Sequence, residues 1–418
     1  MVAPRHTRVV FYEQTEEQPA RIMTTIAPKL TLFDVCGPGY VFNSRIPDNA
    51  SEWVVRGPGS ADAVTGNQLI VVGPMPVLCS ARVATHAGLA LLRDIGFTLE
   101  ADIVTFTDAT DRLNRLKSLA DKGLAVIDQH VQPDANLHPG TSWVSSSTLS
   151  FLNNKGNLGQ MVPPPYLPSR EVCDPSALPR YLSHPGRFPL VVKAATEEST
   201  GGGDAVRLCH SGSELKQAQE LFSHCENVVV EDFMAIQRNL CLNYVVFSDG
   251  QIKYLGATHQ IVDAKLNYQG NWLGPNTAPP SELIRVGYGL MTNAWHRGYR
   301  GFAGFDAAVM DDGSCRIYDL NFRFNGSTTP LLIYEALVKQ SGLPIAKYRV
   351  WMHDGSFHQM IASLEQALDI HCFFPFCIYD PGTSATNDVK PRVSALLFGM
   401  TTDEVQEKET ELGLLGFH

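Results

Sequence analysis

Short apolar runs alternate with stretches of helical period through the first third of the chain. Runs at Arg8–Tyr12, Leu69–Val72, Ile103–Thr105 and Leu124–Ile127 predict strands, and the patterns near Ala81–Gly96 and Thr110–Lys122 predict helices. Such alternation is the mark of an α/β sheet. The run ending Val71-Val72-Gly73-Pro74-Met75, ahead of Ser80 and a helix, would put a loop at a carboxyl strand edge, where open α/β sheets take ligands. A Ser-rich loop at 141–150 closes this section, and a helix over 151–163 carries Lys155 up to the run Pro163-Pro164-Pro165.

The pattern then changes. Pro189–Ala195 predicts a strand with Lys193 at its end, followed by a loop containing Gly201-Gly202-Gly203 and a returning strand. Asn227–Val230 is a buried-type strand that runs into Glu231-Asp232-Phe233-Met234, after a helix near Ser213–Phe222. Leu240–Phe247 and Gln251–Ala257 pair around Ser248-Asp249-Gly250, and a Gly, Asn and Pro-rich loop spans 267–281 beyond His259. A helix over Glu282–Arg297 leads to two strands joined at Asp312-Gly313, a strong hairpin signal. From about 345 the elements are a helix at Gln359–Ala367, strands at Cys372–Tyr379 and Arg392–Phe398, and a helix at Asp403–Leu412.

Composition narrows the class. With 418 residues, 44% of them hydrophobic and 18% charged, the chain is an ordinary globular protein of two or three domains. A net charge of −10 argues against a broad nucleic-acid surface. No apolar run has membrane-spanning length and no signal-peptide core precedes the first strand, so a cytoplasmic protein is expected. Nine scattered cysteines without a Cys-x-x-Cys pair indicate neither a zinc site nor a disulfide framework.

The chemistry gathers at the hairpin. With the turn at 312–313, Asp306 and Asp319 fall opposite each other and Asn321 shares the face of Asp319, while Arg323 adds a fixed cation. Opposed carboxylates repel unless a cation lies between them, and Mg²⁺ is held by one or two carboxylates plus phosphate oxygens. Water-facing acids on an exposed hairpin are the plain alternative. Asn325-Gly326-Ser327-Thr328-Thr329 supplies small residues and hydroxyls suited to an anion. Upstream, Lys193 beside three glycines would form a flap whose bare amides approach a polyphosphate, although the Walker order is missing. Glu231 to Phe233 offer an edge for adenine, or simply a solvated strand end.

In order, Lys155, Lys193, the Gly201–Gly203 flap, Val230-Glu231-Asp232-Phe233, Asp306, Asp319, Asn321 and Arg323 resemble the ATP-grasp superfamily of carboxylate-amine ligases over roughly 150–345. The run Asn321-x-Arg323-x-x-Gly326-Ser-Thr-Thr-Pro330 looks most like the pheganomycin-type peptide ligases. The resemblance implies an α/β (α+β) architecture. An N-terminal pre-ATP-grasp α/β domain would span 1–148, and an ATP-grasp domain 149–345 would divide into a nucleotide-covering part, 149–235, and a metal and phosphate part, 236–345. A small C-terminal α/β domain would follow at 346–418.

It also implies roles. Lys155, Lys193 and Gly201, Gly202 and Gly203 would hold ATP phosphates, and Glu231, Asp232 and Phe233 the adenine. Asp306, Asp319 and Asn321 would hold one or two Mg²⁺, with Mn²⁺ as a substitute; Asp319 stands where the superfamily usually has Glu. Arg323 and Lys193 would be catalytic, and His259, Arg323, Gly326, Ser327 and Thr328 would meet substrate. The implied reaction activates a carboxylate as an acylphosphate and joins it to an amine of an amino acid or peptide, in specialised metabolism such as antibiotic biosynthesis. Homodimers occur among similar enzymes. Intramolecular lactam closure and a non-catalytic nucleotide-binding regulator are the alternatives.

Overall fold

The computed structural model describes residues 25–47, 59–132, 142–183, 185–197, 205–382 and 389–418. The run at Arg8–Tyr12 and the glycines 201–203 lie outside them. Three sheets make up the fold.

The N-terminal sheet holds β1 (Tyr40–Asn43), β2 (Pro76–Ser80), β3 (Asp102–Phe106) and β4 (Ala125–Asp128), all parallel, in the order β3-β2-β1-β4. Helices His86–Ile95 and Ala109–Asp121 connect them, each opened by a side-chain cap, Thr85 to Gly88 N and Asp108 to Asp111 N. Leu69–Val72 is not a strand. Its amides make turn bonds, Leu69 N to Gly66 O and Val71 N to Gln68 O, while its carbonyls accept from Leu32 and Phe33. It is buried on every side, so an apolar run without alternation reports burial and not strand pairing. The strand comes after Gly73-Pro74, at Pro76–Ser80, where Cys79 and Leu78 are fully buried.

The Ser-rich stretch is helical over Ser146–Asn153, capped by Ser145, and that helix stops before Lys155, which opens a 3-10 turn at Lys155–Asn157. Next come β5 (Arg170–Cys173), β6 (Leu190–Ala195), β7 (Val206–Cys209) and β8 (Asn227–Asp232), an antiparallel sheet in the order β5-β8-β6-β7. With the helix Gly212–Leu221 it encloses a hydrophobic core of its own, which includes Leu190, Val192, Phe222 and Val230.

The largest sheet is antiparallel, with eight strands: β9 (Ile236–Val246), β10 (Ile252–Val262), β11 (Tyr268–Leu273), β12 (Gly301–Met310), β13 (Cys315–Asn321), β14 (Ile345–Met352), β15 (Phe373–Tyr379) and β16 (Arg392–Gly399). Their order is β13-β12-β9-β10-β11-β14-β16-β15, so residues 345–399 extend the sheet that carries the hairpin. One continuous core joins this sheet to the N-terminal sheet. The first part of the expected 267–281 loop is β11. A Cβ at Gly270 would meet Tyr348 O at 2.0 Å, so the glycine there serves close approach of β11 to β14 and not looseness. Among the described residues, no helix is long and apolar enough to cross a membrane.

Candidate active site

The hairpin has the register its turn dictates: Asp306 pairs with Asp319 and Gly304 with Asn321, and a bulge follows between Asp306 and Ala307. Gly304 permits a tight fit behind it, since a Cβ there would lie 1.7 Å from Asn325 Nδ2. The two carboxyls have unlike surroundings. Lys155 Nζ donates to both oxygens of Asp319 at 2.7 Å. Burial opposes charge on Asp319, yet Lys155 and Lys193 hold its carboxyl below the ordinary range. Asp306 instead accepts from two amides, Gln260 Nε2 at 2.8 Å and Asn321 Nδ2 at 3.3 Å, and from the Cys241 thiol. Burial and the Asp319 charge push its carboxyl up to about 7.

Lys193 lies inside β6, 6% exposed, and not at a strand end. Its Nζ meets Glu231 Oε2 at 2.6 Å and donates to Tyr318 O at 3.1 Å. Glu231, 3% exposed, also faces Arg170 at 3.6 Å, whose guanidinium donates to Lys155 O at 2.6 Å. Thus the acid expected at adenine is engaged as the counter-ion of a buried lysine. Asp232 pairs with Arg187 at 2.6 Å, and Phe233 is 41% exposed.

Arg323 donates to Asn321 Oδ1 at 2.7 Å and to Asn153 Oδ1 at 2.8 Å, and the latter oxygen also takes Phe322 N at 3.0 Å. The turn after it is tied to β9: Asn243 Nδ2 donates to Ser327 Oγ at 2.8 Å, and Thr328 Oγ1 donates to Asn243 Oδ1 at 2.9 Å. The hydroxyls of Ser327 and Thr328 are therefore engaged in holding the turn. Gly326 packs on Tyr268, since a Cβ would meet its Oη at 2.2 Å.

These groups border a single cavity of about 740 Å³, within the usual range for a small-molecule site. Its walls include Lys155, Lys193, Glu231, Asp232, Phe233, His259, Asp306, Asp319, Asn321, Arg323, Gly326 and Ser327; Thr328 stands behind them. Burial, and then Arg238, lower the basicity of His259. An apolar end is formed by Val191, Val206, Phe233, Met234 and Ile236, where β8 passes into β9.

Among the described residues no three His, Cys, Asp or Glu side chains cluster as a metal site. Two opposed carboxylates with an adjacent amide nonetheless fit Mg²⁺, which takes few protein ligands and completes its shell with phosphate oxygens and water. Lys155 already covers Asp319, while Asp306 is met by the neutral Gln260 and Asn321 amides.

Sequence reasoning passed over the supporting residues Asn153, Arg170, Asn243, Gln260 and Tyr318. Nothing local marks them. Tyr318 Oη reaches Gln260 Oε1 at 3.1 Å only because β9 lies between β12 and β10.

Two family models of the L-aspartate--L-methionine ligase match the chain, an N-terminal domain model over residues 31–150 and an ATP-grasp model over 168–321. Among solved structures, the chain is similar to the ADP complex of PurK, N5-carboxyaminoimidazole ribonucleotide synthetase. The TM-score is 0.60 at 12% identity, covering 91% of this chain and 98% of that one. The ADP-complexed N5-carboxyaminoimidazole synthetase of Staphylococcus aureus gives 0.58 at 10%, covering 93% and 99%. Biotin carboxylase of Campylobacter jejuni gives 0.56 at 13%, covering 91% of each chain. At these identities the structures speak for the fold, and the two ligase models together span the N-terminal sheet and the chain from β5 to β13. The chain belongs to the ATP-grasp superfamily of carboxylate-amine ligases, which couple ATP cleavage to amide-bond formation.

Proposed function

We propose that the protein joins a carboxyl of aspartate to the amino group of methionine, forming a dipeptide with release of ADP and phosphate. The substrate pair comes from the ligase whose two domain models match this chain. The observation that carries the chemistry is the meeting of Lys155, Lys193 and Arg323 with the opposed Asp306 and Asp319 on one wall of one cavity.

The aspartate carboxylate would attack the γ-phosphorus of ATP, breaking its bond to ADP and leaving an acylphosphate. Lys155 and Lys193 would lie along the phosphates, with adenine at the apolar end beside Phe233 and Met234. Asp306, Asp319 and Asn321 would hold Mg²⁺, whose charge supplies stabilisation of the transferring phosphoryl group. Asn321 Oδ1 accepts from Arg323 and keeps a second lone pair for a cation, while its Nδ2 faces Asp306. Arg323, oriented by Asn153 and Asn321, would meet the acyl oxygen as it gains charge. The amine then bonds to the acyl carbon, loses its proton, and phosphate leaves. ATP and free amino acids place such a reaction in the cytoplasm.

The test is ADP release with aspartate and methionine supplied singly and together, with product mass measured. A product equal to the two amino acids less one water supports the proposal. ADP release independent of both amino acids would sink it, and a product one water lighter than a single substrate would show intramolecular closure instead.

A further inference from the structure

The cavity extends beyond its phosphate end to the N-terminal sheet, and the side chains there are of another kind. In the order β3-β2-β1-β4, the chain leaves β1 towards β2 on one side while β4 lies on the other. The carboxyl ends of β1 and β4 therefore flank the reversal of strand order, the crevice at which open parallel sheets bind ligands. Gln129 follows β4 directly, its amide donating to Asn43 O at 3.0 Å. Gln68 follows a turn that is pinned through its neighbour: Asn67 O accepts from Thr329 Oγ1 at 2.9 Å, and Asn67 Oδ1 from Ser394 Oγ at 3.0 Å.

Both glutamines line the cavity with Arg323 and Thr329. Gln68 is 4% exposed and its Oε1 has no hydrogen-bond partner; Gln129 Oε1 is likewise buried and unpartnered. Each such oxygen costs on the order of 1–3 kcal/mol when left unmet, and because both residues border one cavity, a rotation of either carboxamide would present its oxygen to a ligand rich in donors. An ammonium has three donors and no acceptor. Among the described residues, the N-terminal lining, Ile46, Ser60, Val64, Asn67, Gln68, Gln129 and His130, contains no Asp, Glu, Lys or Arg. Val64, Phe324, Pro330 and Phe376 add an apolar surface.

We propose that Gln68 and Gln129 seat the amino group of the amine-donating amino acid, with its unbranched apolar side chain against Val64, Phe324 and Phe376. This rests on the ligase function above and adds the residues that choose the amine. Gln129 and Arg323 also share a second, smaller cavity, so a nitrogen held at Gln129 lies near the group that would meet the acyl oxygen. From there the ammonium gives up one proton to solvent to become a nucleophile, its nitrogen bonds to the acyl carbon, a second proton is released, and the acyl–phosphate bond breaks with phosphate leaving.

The experiment compares Gln68→Leu and Gln129→Leu with the unaltered protein, using aspartate and Mg-ATP with either methionine or hydroxylamine as the amine. Hydroxylamine traps the activated acid as a hydroxamate and is too small to need the seat. Expected is a KM for methionine at least tenfold higher in each variant, with hydroxamate formation within about twofold of the unaltered protein. Normal hydroxamate formation also shows that the variant is folded. An unchanged KM for methionine in both variants overturns the proposal, as does a parallel loss of hydroxamate formation in both. If the unaltered protein forms no hydroxamate, the ligase function itself fails and this proposal falls with it.

Discussion

Lys193→Met separates a structural from a phosphate-binding role for the buried lysine. The substitution keeps the length and bulk of the side chain but leaves Glu231, 3% exposed, without its 2.6 Å partner. Breaking one side of a buried ion pair costs roughly 3–5 kcal/mol. Arg170 at 3.6 Å remains beside Glu231, which places the expectation near the lower end. For 418 residues, an unfolding entropy of roughly 2.1 cal/mol/K per residue converts about 3 kcal/mol into a fall of about 3–4 °C in Tm if the chain unfolds as one unit. Adding Glu231→Gln removes the stranded charge, so the double variant should regain most of that loss. Its activity should not return, because the phosphate contact is still missing. Calorimetry and an ADP-release assay on the two single variants and the double variant read both quantities. A double variant that recovers turnover along with stability would refute the phosphate role and leave Lys193 a counter-ion only.

Three further outcomes are expected. Asp306→Ala and Asn321→Ala should each abolish Mg²⁺-dependent ADP release, and turnover retained in both would remove the metal assignment. Gly304→Ala places a Cβ 1.7 Å from Asn325 Nδ2; displacing the turn that carries Gly326 and Ser327 should lower kcat at least tenfold, and unimpaired kinetics would show that the turn is not part of the site. Asp128, which accepts from Asn43 Nδ2 at 2.6 Å, has its carboxyl raised by burial from 3.8 to about 6. A raised folded value means stability present below pH 3.8 and lost as pH climbs through 6, up to about 3 kcal/mol at 1.36 kcal/mol per unit. Asp128→Asn should therefore gain stability over the unaltered protein between pH 4.5 and 7.5, and a difference in Tm that does not change with pH would contradict this.

What the sequence determined by itself was local. Asp312-Gly313 fixes the hairpin turn, and the turn fixes which residues face each other, so the pairing of Asp306 with Asp319 followed from counting outwards. The capped helices His86–Ile95 and Ala109–Asp121 were legible for the same reason, since period and cap lie within a few residues. The order of lysines, glycines and acids sufficed to indicate the superfamily. Burial misled where pairing was not local: Leu69–Val72 is as apolar as a strand but bonds as a turn, and β11 was hidden by Gly270.

Only the tertiary structure decided who neutralises whom. Lys193 and Glu231 are diagonal neighbours on the adjacent strands β6 and β8, and Lys155 reaches Asp319 across 164 positions of sequence. No residue pattern sets such partners, because each carboxylate could have met any of several cations, and the choice is made by which strands pack together. The same holds for Gln68 and Gln129. Two glutamines far apart in an unremarkable stretch became a candidate amine seat only when the strand order β3-β2-β1-β4 set its crevice against the hairpin's cavity.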